Sequence, residues 1–390
     1  MLNLDSINDE LSGVGQTTLN LSKAWLDAGH QVNLVIPKKW PDYVLLSGGL
    51  TKAELLEIEQ SPQNKSAINL PFLFPVRLIQ GTKHIFKLIR NKNVDLIFVE
   101  SGVSLIAAYM AKILNSLKYK RKPVIIAPFY HLTPRNAPYQ KKYVKFLGHA
   151  YVVLSLTFAN KLLKAFFFTE STFTAKMLNR DFMIPKKRIL PIGGGIDDEF
   201  IEKMKHTSSP QKLYDACFIG RIHPAKGIFD LVNAWDSVRH RFSGAKLAII
   251  GGGYLHYREM VEKEIDKRNL RDNIVLCGSV SEEDKFKILM QSKILVHPAY
   301  EECIPLTFFE AASVNLPIVT YYLPTYENVR ECLIPVKKGD MELLAATLVK
   351  CISAYDNQKN AFCSFFEKES ELARKHTWKN IANCLLTETG

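Results

Sequence analysis

CFIGRIHPAKGIFDLVNAW, Cys217 to Trp235, begins as a short apolar strand, turns at Gly220 and enters a helix near Gly227. Two cations, Arg221 and Lys226, sit five residues apart in that turn. Open α/β sheets bind ligands beyond the carboxyl ends of their strands, so cations placed there suit an anion such as a diphosphate. LAIIGGGY, Leu247 to Tyr254, repeats the strand-then-glycine arrangement, and Gly252 would let backbone approach a nucleotide closely. In HPAYEECIPLTFFEAASVNLPIVTY, His297 to Tyr321, Pro298 ends another strand and Pro305 suits the first turn of a helix. Glu302 and Glu310 stand in an E-x7-E spacing there. Glu310 falls among Phe308, Phe309, Ala311 and Ala312, and a carboxylate in such a run needs a partner because burying it unpaired is costly. Solvated surface cations and a structural acid capped by Arg or backbone N–H groups are the plainer readings of the same residues.

Outward from this region, Val/Ile/Phe-rich runs alternate with helical patterns. Strands are expected at Val32–Ile36, Asp95–Val99, Val124–Ala127, Ala165–Phe168, Ala216–Ile219, Leu247–Ile250, Ile274–Cys277, Ile294–His297 and Ile318–Thr320. Helices are expected at Thr17–Ala28, Leu105–Leu117, Ser171–Leu178, Ile228–Arg241, Glu259–Arg268, Glu282–Ser292 and Leu306–Val314, then at Met341–Tyr355 and Glu367–Leu386. The alternation implies parallel sheets covered on both faces, twice over, in a chain of 390 residues, which exceeds one ordinary core. The boundary is expected between 198 and 211, where EKMKHTSSPQK has a linker composition. Lys38–Pro75, with Gly48-Gly49 and several prolines, reads as an irregular loop region.

The net charge of +12 is lopsided: residues 1–200 hold 26 Lys/Arg against 15 Asp/Glu, and residues 61–190 hold 22 against 4. A one-sided excess suggests that the first half faces an anionic partner, such as membrane lipid, a lipid phosphate or nucleic acid. KKYVKFLGHAYVVLSLTFANKLLKAFFF, 141–168, mixes lysines with large apolar residues as interfacial helices do, or is an ordinary core helix followed by a buried strand. No run of about 18 uncharged apolar residues occurs, so no transmembrane helix is expected. The polar opening MLNLDSINDE predicts no secretory leader, and seven cysteines without a C-x-x-C pair point to reduced core thiols in a cytoplasmic protein. Gly13 and Gly15, in SGVGQTTLNLSKAW, read as a Gly-rich turn between a short strand and a helix, without the third glycine of the dinucleotide fingerprint.

The GR-x4-KG and E-x7-E combination resembles the retaining nucleotide-sugar glycosyltransferases of family 4, densest over Asp215–Tyr321. Weaker echoes lie in AWLDAGHQVNLVIP, FFFTESTFTAKML, ILPIGGGIDDEF and HTWKNIA. The resemblance implies a GT-B fold: two Rossmann-like domains facing a cleft, with a C-terminal helix packing back toward the N-terminal domain. The implied segments are an acceptor-binding domain over 1–200, a donor-binding domain over 201–365 and a returning helix over 366–390. It implies that Arg221 and Lys226 hold the donor diphosphate, and that Glu302 and His131 lie near the donor sugar. Glu310 would hold the ribose. Backbone at Gly13, Gly15, Gly220, Gly252, Leu306 and Thr307 would contribute to donor binding. Pro305 replaces a common family glycine and removes one possible N–H donor.

No D-x-D occurs, so no metal and no further cofactor are expected, Arg221 and Lys226 serving instead. The expected partners are a nucleotide-sugar donor and a glycan or lipid-linked acceptor, with a peripheral membrane location for the enzyme. A nucleotide-sugar epimerase of the same fold and a non-catalytic nucleic-acid-binding scaffold are the alternatives. The second lacks an aromatic–basic recognition motif.

Overall fold

The structure, a computed structural model, describes residues 13–37, 54–58, 82–83, 85–87, 90, 94–98, 108–113, 124–128, 153–154, 156–191, 193–197, 211–357 and 362–389. His131 and the strand expected before Gly13 lie outside them. The chain divides into two compact units, the first running to Gly194 and resuming at Trp378, the second spanning Gly195–Thr377.

In the first unit, helix α1 (Gly13–Asp27) precedes strands β1 (Asn33–Pro37) and β2 (Glu54–Ile58), which pair in parallel. A four-stranded parallel sheet orders β3 (Leu96–Phe98), β4 (Val124–Pro128), β5 (Phe166–Thr169) and β6 (Ile189–Pro191) consecutively. Helix α2 (Thr172–Phe182) follows β5, its first turn capped by Ser171 Oγ, which accepts from Phe173 N at 3.1 Å. Two expectations need correcting, and a third was left open. Gly13 and Gly15 form the first turn of α1 instead of a loop ahead of it. The region 38–75 contains β2, where ELLEI contributes too short an apolar run to stand out from its surroundings. Within 141–168 the described part is helical from 153, ends in a π-turn at Ala159–Leu163 and gives way to β5, with Leu156, Ala159, Phe167 and Phe168 buried. That is the core-helix-then-strand reading, although Leu154 and Leu162 are exposed.

The second unit is built on a six-stranded parallel sheet of β7 (Ala216–Ile219), β8 (Leu247–Ile250), β9 (Ile274–Gly278), β10 (Leu295–His297), β11 (Ile318–Tyr321) and β12 (Leu333–Val336). Its spatial order is β12-β11-β10-β7-β8-β9. The order reverses between β7 and β10, the topological switch point at which such sheets bind ligands. Helices α3 (Ile228–Arg241), α4 (Leu255–Lys267), α5 (Glu282–Met290), α6 (Leu306–Ser313), α7 (Met341–Asn357) and α8 (Cys363–Lys375) cover the sheet. Successive strand residues point to opposite faces, and β7 shows the result. Ala216 and Phe218 pack with Trp235 and Leu348 on one side, while Cys217 and Ile219 pack with Phe308 and Phe309 on the other. Cys217, Cys277, Cys303, Cys332, Cys351 and Cys384 are thiols outside any disulfide, and burial pushes the Cys217 thiol up to about 12 and Cys351 to about 11.

Where one closing helix was expected there are two. Helix α8 packs on α6 within the second unit, and α9 (Trp378–Thr389) crosses to the first, where Trp25 Nε1 donates to Ala382 O at 3.1 Å. The return therefore begins at Trp378 and not at 366, because the apolar side of α8 (Leu372, Ala373) belongs to the core beneath α6. The break falls at His376–Thr377, where Ile196 N donates to His376 O at 2.9 Å and Ile196 bridges to Thr377.

Candidate functional site

The loop after β7 is laced to its neighbour. Gly220 N donates to Ile250 O at 3.0 Å and Ile222 N to Gly252 O at 2.7 Å, so Ile222 is buried and Arg221 is turned out to solvent. Gly251 has φ +135°, and a Cβ there would run into the Gly220 carbonyl; only glycine permits this approach. His223 caps the short 3-10 turn Pro224–Lys226, its Nδ1 accepting from Ala225 N at 3.1 Å. That bond requires an unprotonated Nδ1, and burial, helped by the Arg221 and Lys226 charges, lowers the His223 pKa. The turn thus carries two cations without a third.

Gly227 joins the turn to α3 at φ +67°, tight against the Pro298 carbonyl of the loop after β10. Tyr300 N donates to Ala225 O at 2.8 Å, fastening the two loops across the switch point. Beneath them, Asp230 Oδ2 accepts from the hydroxyls of Tyr300 at 2.6 Å and Tyr321 at 2.7 Å. This framework brings Lys226 Nζ into an ion pair with Glu302 Oε2, the two side chains only 14% and 15% exposed. His297, at the end of β10, lies 2% exposed with Nε2 3.5 Å from the same carboxylate oxygen. It packs between Phe218, stacked at 6.2 Å, and Phe308, edge-on at 5.5 Å. Burial lowers its pKa, the Glu302 charge opposing and the Lys226 charge reinforcing the shift.

Helix α6 starts at Leu306 after Pro305, with no side-chain cap. Phe308 N turns back to Pro305 O at 3.0 Å, leaving the N–H groups of Leu306 and Thr307 at the open first turn, where the helix dipole favours an anion. Glu310 does find the partner its position demands. Lys285 Nζ on α5 reaches Glu310 Oε1 at 2.8 Å and Glu282 Oε2 at 2.7 Å, with Lys285 and Glu310 only 12% and 13% exposed. Burial raises the Glu310 pKa against the opposing charge of Lys285; burial would lower Lys285, but the two carboxylates override it and raise it.

Five buried side-chain atoms between His297 and Glu310 have no hydrogen-bond partner: both ring nitrogens of His297, Glu301 Oε1, Thr307 Oγ1 and Glu310 Oε2. Buried polar groups are normally satisfied, so their concentration along one loop and helix start marks a surface built to receive polar groups.

The structure thus brings Lys226 and Glu302 into contact and sets Arg221, Gly220 and Gly252 on the adjoining loops. Glu302 and Glu310 are not a mutual pair, since each is neutralised by its own cation. Gly13 and Gly15 belong to the first unit. His223, His297 and Lys285 stand at the candidate site and were missed by sequence reasoning; His223 lies two residues after Arg221 and His297 five before Glu302, while nothing distinguishes Lys285 in EEDKFKIL. Among the described residues no group of three or more His, Cys, Asp or Glu could hold a metal ion, and no helix is long and apolar enough to cross a membrane.

Comparison with known proteins agrees with this architecture. Residues 11–200 match the model of Glycosyltransferase Family 4 and residues 199–353 that of Glycosyl transferases group 1. An uncharacterised glycosyltransferase of Methanocaldococcus jannaschii is 26% identical over 305 residues, 74% of this chain and 69% of that protein. The alpha-galactosylglucosyldiacylglycerol synthase of Streptococcus pneumoniae is 26% identical over 49% of this chain, which spans little more than half (58%) of that enzyme. A yeast phosphatidylinositol N-acetylglucosaminyltransferase subunit is 25% identical over 42% of the chain and 36% of its own length. Anabaena HepE, solved with UDP and glucose, superposes with a TM-score of 0.71 at 13% identity, covering 100% of this chain and 97% of its own. Staphylococcus aureus TarM gives 0.72 at 13% identity, with 100% and 98% covered. With both halves matched, the chain belongs to the family 4 glycosyltransferases and carries the GT-B fold.

Proposed function

We propose that this glycosyltransferase moves a sugar from a nucleoside diphosphate to an acceptor hydroxyl with retention of configuration, and that its second unit holds the donor. The observation that carries the reading is the Lys226–Glu302 pair at the sheet's switch point, beside the uncapped start of α6 and the cluster of unpartnered buried polar atoms. In this reading the bond from the anomeric carbon to the β-phosphate breaks with its electrons leaving on phosphate. Lys226, Arg221 and the N–H groups of Leu306 and Thr307 stabilise that charge. The acceptor oxygen bonds the anomeric carbon on the vacated face and its proton passes to the departing phosphate. Glu302 accepts from sugar hydroxyls, and the free Oε2 of Glu310 accepts from the ribose. Retention is carried over from the family, and the two cations stand where another enzyme would use a metal.

A lipid-linked acceptor is supported by the basic first half, by exposed Leu154 and Leu162 and exposed Lys161 and Lys164, and by the lipids in the names of two relatives. The first unit would take that acceptor at the cytoplasmic face of a membrane. Donor turnover by Lys226→Ala and Glu310→Ala tests the assignment: Lys226→Ala should fall at least about a hundredfold, the scale of one lost charge-stabilising donor, and Glu310→Ala should lose donor affinity. Near-wild-type rates in both would end it.

A further inference from the structure

Lys285 has no task in the mechanism above, yet the fold fixes it at the edge of the site. Helix α5 begins just beyond β9, whose last residue is tied to the glycine loop. Gly251 N donates to Gly278 O at 2.8 Å, and a Cβ on Gly252 would lie 2.8 Å from Ser279 Oγ. Ser281 caps the helix, its Oγ accepting from Asp284 N at 3.1 Å and donating to Asp284 Oδ2 at 2.7 Å. Lys285 N donates to Ser281 O at 2.9 Å, so the lysine stands on the Gly252 side of the site.

Its ammonium takes Glu310 Oε1 at 2.8 Å and Glu282 Oε2 at 2.7 Å. The other Glu310 oxygen, Oε2, is buried without a hydrogen-bond partner, and so is Thr307 Oγ1 three residues earlier on the same face of α6. An ion pair that only joined two helices would gain nothing from leaving that oxygen unsatisfied, since an unmet buried acceptor is destabilising. Lys285 divides the carboxylate into a held oxygen and an offered one.

We propose that Lys285 is a positioning residue for the donor's ribose. It takes one oxygen of Glu310, leaves the other to the ribose hydroxyls, and so sets the preference for ribonucleotide over 2′-deoxyribonucleotide donors. The inference rests on Glu310 being the ribose-holding carboxylate of the proposed function.

Charge matters here as much as geometry, because an ionised acceptor holds a hydroxyl about twice as strongly as a neutral one. Burial pushes Glu310 toward its neutral form; Lys285 opposes that shift and Glu282 reinforces it. Helix α8 packs on α6 with Leu372 and Ala373, while its charged side chains Glu367, Lys368, Glu371, Arg374 and Lys375 are exposed. His376 lies against Phe309, and His297 and Tyr326 against Phe308, on other faces of α6. Among the described residues, Lys285 is the cation that keeps Glu310 ionised.

The experiment is calorimetric titration of the whole chain, from pH 6.5 to 8.5, with the glucose diesters of UDP, GDP and ADP and the 2′-deoxyribose counterpart of each. The readout is the ratio of the two affinities in a pair, in which any titration of base or diphosphate cancels. Wild type should favour the ribose member about ten- to a hundredfold at every pH, the scale of a hydrogen bond to a charged group. Glu310→Gln, a neutral acceptor, should give about two- to tenfold, also independent of pH. Lys285→Met should match Glu310→Gln at the lowest pH and climb as pH rises, because its stranded carboxyl ionises only at higher pH. A merely structural lysine would weaken both members of a pair alike, leaving the ratio and its pH profile as in wild type. That result overturns the inference and leaves the ribose role of Glu310 intact. Equal wild-type affinity for both members, or a wild-type ratio retained by Glu310→Gln, overturns that role and this inference together. No binding by any of the ligands ends the donor reading itself. Should Lys285→Met fail to fold, Lys285→Gln replaces it. Failing both, the wild-type profile decides: a ratio that climbs with pH overturns the inference, and a flat one above that of Glu310→Gln supports it.

Discussion

Removing the charge of Lys285 while keeping its bulk, by Lys285→Met, isolates the cost of an unpaired Glu310. In the native chain the ammonium sits 2.8 Å from Glu310 Oε1, both groups are nearly nine-tenths buried, and Oε2 has no partner to fall back on. Breaking a buried pair by deleting one partner typically costs about 3–5 kcal/mol. The stranded carboxyl can escape by taking a proton, which at pH 7 would cost about 3.7 kcal/mol from an ordinary glutamate and less from the native Glu310, already raised by burial. The two figures overlap near about 3 kcal/mol, a fall in Tm of roughly 6–12 °C for a unit of this size.

The sign with pH follows from linkage. Without Lys285 the folded-state pKa of Glu310 lies above its unfolded value, so the variant keeps its stability below the unfolded pKa and loses it as pH rises. The deficit should shrink below about 1 kcal/mol at pH 5. Adding Glu310→Gln removes the stranded charge and should recover most of the loss. Scanning calorimetry of the single and double variants at pH 5 and 7 measures all of this. A pH-independent deficit below about 1 kcal/mol, or a double variant no more stable than the single, would show that this pair does not hold α5 to α6.

Gly227→Ala should lose more than about 2 kcal/mol in urea denaturation, because it combines a positive φ with a Cβ driven into the Pro298 carbonyl, neither of which can relax independently. Tyr321→Phe should cost about 1.5–3 kcal/mol, the range for a hydrogen bond to a charged group, and Tyr300→Phe less, since Tyr321 is fully buried and Tyr300 only partly so. His223 is held neutral, with its folded pKa below the unfolded value near 6.5. Its contribution should be complete above about pH 6.5 and lost as pH falls through the folded value. His223→Asn, which retains a capping acceptor, should flatten that acid limb in thermal melts recorded from pH 5 to 8.

Much of the second unit could be read directly because its central strands β7, β8, β10 and β11 are buried on both faces and most are bounded by glycine or proline. Strands β7 and β8 and helix α3 start and stop where apolar runs meet Gly220, Gly251 and Gly227. Strand β12 escaped notice, since LIPV is split by Pro335 at a sheet edge, where a missing N–H is tolerated. The cations and carboxylates were legible as types in a loop. Their pairing was not: Lys226 meets Glu302 76 positions away, and Glu310 is answered by Lys285 from a helix whose charges look like solvated surface. His297 read as the last residue of a strand. Only the three-dimensional arrangement shows that its nitrogens are unpartnered.

The crossing of α9 to α1 has a consequence for how the molecule is made. The first unit needs Trp378, Ile381, Ala382 and Leu385, the buried side of that helix, yet the ribosome delivers them only after the second unit. At ordinary translation speed they emerge roughly 10–40 s after Gly194. Throughout that interval the first unit carries an unfinished apolar face, while the second, complete at Thr377, can close before it. Although synthesised first, the N-terminal half is the last to be sealed.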